Sequence, residues 1–112
     1  MLAFKTMRLE GQMAKWADYL ISAVRYGTDP KHITHLKVHE DKDEKVGVGK
    51  KYPRSDVVDE INRGTSFVTI FMENEKWQKG QKVFVIKVGG KSYLKTVDNK
   101  KEEDNLENLP KF

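Results

Sequence analysis

Tyr93 and Lys95 stand two residues apart in "KSYLKT", so strand spacing puts them on one face of a sheet. An aromatic ring stacks on a base and an ammonium pairs with a phosphate, which are the two contacts a nucleotide binder needs. Lys87 joins them in one register of the preceding strand. The same residue types also make an ordinary polar sheet face. Arg25 and Tyr26 add a guanidinium and a second ring at the end of an earlier strand. Arg54 follows "GVGKK", where glycines free backbone N–H groups and Lys50 and Lys51 bring charge near a helix start. Asp56 opposes an anion there, and the segment has neither Walker spacing nor a Ser/Thr after the lysine. Asn105 and Asn108 carry amides able to read base edges or to hold an irregular backbone path.

Other chemistries find less support. His32, His35 and His39 in "HITHLKVH" suggest a metal. In a strand, however, Lys37 lies between His35 and His39, and there is no cysteine to complete a site. "DKDE" lacks the glycine and closing glutamate of a calcium loop. Serine, histidine and aspartate co-occur without a nucleophile elbow or a paired acid on a helix. The expectation is a protein that is not an enzyme, with no catalytic residues, no cofactor and no metal.

The elements that must position these residues follow from periodicity and turn chemistry. Residues 17–26 and 33–40 alternate as strands around "GTDPKH", giving a hairpin. Residues 41–51 read as an exposed charged loop. "YPRSDVVDEINRG" reads as a short helix with Ser55 as N-cap and Gly64 as stop. Strands follow at 66–73, 82–88 and 91–96, with 74–81 as a connection and Gly89-Gly90 as a two-residue turn. The order β-β-α-β-β-β predicts an α+β fold: a single antiparallel sheet of about five strands with one short helix packed on it. The closing "DNLENLPKF" sets Leu106, Leu109, Pro110 and Phe112 in a polar strip. It predicts an ordered tail that covers a sheet edge, or walls a pocket or subunit interface. Residues 1–16 fit no clean period and form an N-terminal extension to a single domain over 17–112.

With 112 residues, 38% hydrophobic and 34% charged, the chain suits one compact core under a highly charged surface. Residues 1–97 hold 18 Lys/Arg against 12 Asp/Glu, and residues 98–112 hold 3 against 5. A basic body attracts phosphates, nucleic acid or acidic partners, and lysine also serves solubility. No apolar run reaches membrane-span length and no signal-peptide pattern opens the chain. With no cysteine to form disulfides, the expected location is the cytoplasm, with no membrane partner.

From Ile21 to Phe112 the chain resembles a small microbial and phage family known as domain of unknown function 3892. "SAVRYG", "ITHLKV", "YPRSDVVDEINRGTSFVT", "VFVIKVGGKSYLKT" and "DNLENLPKF" carry the resemblance, in that order. The chain is also similar to small, lysine-rich, cysteine-free phage proteins of the anti-CBASS sponge kind, which form homotetramers. That second resemblance implies a viral immune-evasion protein in the host bacterial cytoplasm. It would bind cyclic dinucleotides or related signals in pockets of a homo-oligomer without cleaving them. Arg25, Tyr26, Arg54, Tyr93 and Lys95 would hold phosphates and bases, with Asn105 and Asn108 reading base edges. A small nucleic-acid-binding or protein-interaction domain is the alternative.

Overall fold

Alternating apolar residues and a turn set the first hairpin, β1 (Tyr19–Tyr26) against β2 (Ile33–Glu40), paired antiparallel. The computed structural model describes residues 15–29, 32–42, 45–97, 101–106 and 109–112. The expected extension at 1–16 therefore falls outside the described residues except for Lys15 and Trp16. After the hairpin come β3 (Lys50–Pro53), α1 (Arg54–Asn62), β4 (Phe67–Glu73), β5 (Lys76–Val88) and β6 (Lys91–Lys95).

Among the described residues, one sheet in the order β3-β2-β1-β4-β5-β6 carries one short helix. Four expectations are corrected. The single sheet of about five strands is close to the six found among the described residues; the addition is residues 50–53, read as the end of a loop and the start of a helix, which pair with the outer edge of β2. Pro53 closes that strand, where its missing N–H does least harm, and α1 starts directly after it. Pro53, rather than Ser55, is the N-cap, and no side chain caps the helix. The sheet is also mixed rather than antiparallel: Tyr19, Leu20 and Ile21 pair in parallel with Phe67, Val68 and Thr69. Passing through β2, β3 and α1 returns the chain to β1 in the same direction. Finally, residues 74–81 are mostly strand. Asn74 and Glu75 make a two-residue turn with φ of 54° and 64°, so β5 begins at Lys76. Both central residues at positive φ is the turn that matches strand twist.

Apolar side chains pack on both faces. Ile21, Ile33, Leu36, Val38, Phe67, Val83 and Leu94 bury against Val57 and Val58 of α1. On the other face Ala17, Leu20, Val68 and Ile70 pack with Trp16, Val46 and Trp77. A register shift between Ile21 and Ala23 marks a bulge at Ser22, which brings Ile21 and Val24, three residues apart, into the same cluster. A second bulge lies where Val68 and Ile70 oppose Lys82 and Lys79. Gly80 sits there because a Cβ would lie 2.2 Å from Thr69 Oγ1.

The C-terminal strip is bonded to two strands. Asn105 N–H donates to Leu94 O at 2.8 Å, and Thr96 N–H donates to Asn105 O at 3.0 Å. Further on, Val24 N–H donates to Pro110 O at 2.9 Å and Phe112 N–H to Val24 O at 3.1 Å. Leu106 enters the main cluster and is 1% exposed. The tail thus joins β6 to the end of β1. Among the described residues no helix is long and apolar enough to cross a membrane.

Candidate functional site

The end of β1, the starts of β2 and α1, and β6 meet around one carboxylate that the tail delivers. Asp104 Oδ1 accepts from Leu94 N–H at 2.8 Å and from Arg54 Nη2 at 2.9 Å. Its Oδ2 accepts from Ile33 N–H and from Arg54 Nε, both at 2.8 Å. The Asp104 side chain is fully buried and that of Arg54 is one-quarter exposed. Arg54 Nη2 also donates to Ser92 O. A two-pronged guanidinium–carboxylate pair of this kind fixes orientation as well as charge.

Outside this clip lies an open concavity of about 400 Å³, lined by His32, Arg54, Lys91, Ser92 and Tyr93. The His32 and Tyr93 rings stack with centroids 5.9 Å apart and planes 19° apart. His32 Nε2 lies 3.4 Å from Asp29 Oδ2. The concavity combines a ring pair, an exposed ammonium and the outer side of a guanidinium. It offers a planar anion both a stacking surface and positive charge.

The residues singled out from sequence are only partly brought together. Arg54 and Tyr93 come together on the concavity. Tyr93 is only 2% exposed, so its ring meets the opening through His32 rather than as an open platform. Lys95 shares a face with Tyr93, its Nζ 5.9 Å from the ring centroid, but it is 0% exposed and donates to Lys101 O at 2.9 Å. Arg25 and Tyr26 meet the tail. Arg25 Nε donates to Phe112 O at 2.8 Å and its guanidinium lies 4.8 Å from the Phe112 ring centroid. Lys111 Nζ lies 5.5 Å from the ring centroid of Tyr26. Burial raises the Tyr26 hydroxyl pKa above its ordinary value, and the carboxylates of Asp104 and Glu103 push the same way. Asn105 bridges to β6 through its backbone. Asn108 lies outside the described residues.

Two residues of the site, Lys91 and Asp104, have no functional reading in the sequence, and His32 has one only as a metal ligand. Lys91 follows the Gly-Gly turn and His32 ends the β1–β2 turn, and turn positions next to strands were the available signal. Asp104 is one acid among several in "KEEDNL", and its burial comes from long-range contacts that carry no local signature. The other histidines are dispersed. His35 Nδ1 lies 3.1 Å from Thr34 Oγ1. His39 Nδ1 donates to Gly47 O at 2.8 Å, since a carbonyl only accepts, and its Nε2 accepts from Ser22 Oγ at 2.7 Å. Among the described residues no group of three or more His, Cys, Asp or Glu could hold a metal ion.

The family model described as "Protein of unknown function (DUF3892)" matches residues 20–110, and the chain belongs to that family. No curated protein and no solved structure matches it.

Proposed function

We propose that this member of the DUF3892 family is a non-enzymatic binder of a phosphorylated, base-bearing ligand. The observation that carries the reading is the concavity where the His32–Tyr93 ring pair meets Lys91 and Arg54. Lys91 supplies a mobile ammonium for phosphate. Arg54, held by Asp104 along one guanidinium edge through Nε and Nη2, turns a rigidly oriented, one-quarter-exposed side chain to the opening. The His32 ring faces a base.

The specific ligand class in this reading is a cyclic oligonucleotide signal, held by a homo-oligomer and left uncleaved, as an immune-evasion sponge requires. Such a ligand carries at least two phosphates and two bases. One open concavity of about 400 Å³ serves one nucleotide half. A second copy of the chain related by a twofold axis supplies an identical half-site for the other. Native mass spectrometry tests this reading. The expected species is an even-numbered oligomer carrying one intact cyclic dinucleotide per pair of chains. A monomer with no bound nucleotide at saturating ligand contradicts it.

A protein-interaction module is the second reading, favoured by Phe71 and Met72, which are 43% and 53% exposed near the β4–β5 turn. Replacing both with serine separates the two readings. Ligand binding is retained under the first, and partner association is lost under the second.

A further inference from the structure

A second concavity lies along α1 and is opposite in character to the first. Tyr19 and Phe67 stack in its wall with centroids 5.5 Å apart, and Tyr52 of β3 lines it with them. The helix side of the lining carries Asp56, Asp59 and Glu60 and, at the C-cap of α1, Arg63. Glu60 is engaged by Arg63 at 2.9 Å and by Thr65 at 2.7 Å. Asp56 and Asp59 are exposed and make no ion pair among the described residues. The acids alone would be a solvated helix face; the half-open aromatic cavity beside them gives a cation a partly sheltered place.

We propose that this cavity binds an alkylguanidinium or alkylammonium group. Its apolar stem lies against Tyr19, Tyr52 and Phe67, and its charged head reaches Asp56 and Asp59. Three observations converge on that ligand chemistry. The cavity is about 250 Å³, smaller than the roughly 300–1,000 Å³ of sites for drug-sized molecules, so it takes one side-chain-sized group. Its aromatic faces attract a cation through their quadrupoles. Asp56 and Asp59 make no ion pair among the described residues, and with Arg63 matched to Glu60 they leave the lining net negative, although the chain as a whole carries a net charge of +4. The adjoining concavity of about 340 Å³ shares Tyr19, Val38 and Tyr52 but carries Lys42 and Lys50. That arrangement directs the cationic head toward α1 and away from β3.

A free small cation and an arginine or lysine side chain of a partner share this chemistry, and one experiment separates them. The full chain is titrated with butylguanidine, N-acetylarginine amide and neutral N-butylurea, followed by two-dimensional amide NMR. Both cations are expected to shift the signals of Tyr52, Asp56, Asp59 and Phe67, and the urea is expected to leave them in place. Tighter binding of butylguanidine assigns the site to a free cation. Tighter binding of the arginine derivative assigns it to a protein side chain. Asp56→Asn with Asp59→Asn is expected to weaken binding by about tenfold or more, as loss of close charge pairs does. Tyr52→Ala, which leaves both carboxylates in place, is expected to weaken it as well. Equal shifts from the urea, unchanged affinity in the Asn variant, or shifts confined to the His32–Tyr93 concavity would overturn the proposal.

Discussion

Asp104 shows how much one side chain organises here. Its two oxygens take four hydrogen bonds, two from backbone N–H groups on β2 and β6 and two from Arg54. Asp104→Ala leaves two backbone donors and a guanidinium without their acceptor. The expected loss is about 3–5 kcal/mol, the usual cost of breaking a buried pair from one side. Urea unfolding of the variant measures it, and a loss below about 1 kcal/mol would place the pair among surface ion pairs. Tyr26 gives a pH dependence. Its folded pKa is raised, so the folded state holds the proton more tightly than the unfolded chain. The stability it contributes is present below its unfolded pKa of about 10 and is lost as pH rises through the folded value. Tyr26→Phe should flatten the fall in stability as pH rises above about 10, where the unfolded tyrosine begins to ionise, in thermal unfolding. An unchanged slope would assign that fall to other groups.

At the scale of elements, legibility followed how local the cause was. The second strand was readable to its ends, because Ile33 to Glu40 alternate and are bounded by turn residues. The Gly89-Gly90 turn was equally plain, with φ of 60° and 82° as such a turn needs. The Asn74–Glu75 turn was missed because glutamate at positive φ is not a familiar turn signal. The parallel β1–β4 pair was beyond reach, since it is fixed by cores formed across the chain. The candidate site shows the same limit. Alternation placed Tyr93 and Lys95 on a common face but could not reveal that both are enclosed. Two predictions belong to this scale. Gly80→Ala forces a Cβ against Thr69 and should cost about 1–3 kcal/mol through overpacking. Leu106→Ala should cost about 2–5 kcal/mol and release the tail, which amide exchange at Asn105 and Val24 reports as lost protection. Retained protection at both amides would mean that backbone pairing, not Leu106, holds the tail.

Considered as a whole molecule, a basic body is joined to a mildly acidic tail that docks onto it, so part of the charge asymmetry seen in the sequence is satisfied internally through Arg54 and Asp104. The cations left facing outward at this end include Lys91, and this remaining charge is what a phosphate would meet. The most direct test is thermal unfolding of the full chain and of a Lys91→Ala variant against a panel of cyclic di- and trinucleotides. A ligand that binds the folded state raises the apparent midpoint by mass action. The account predicts a rise with one member of the panel, that ligand recovered intact on denaturation, and a smaller rise in the variant. No rise with any member, or an equal rise in the Lys91→Ala variant, would contradict the assignment of this concavity to nucleotide binding.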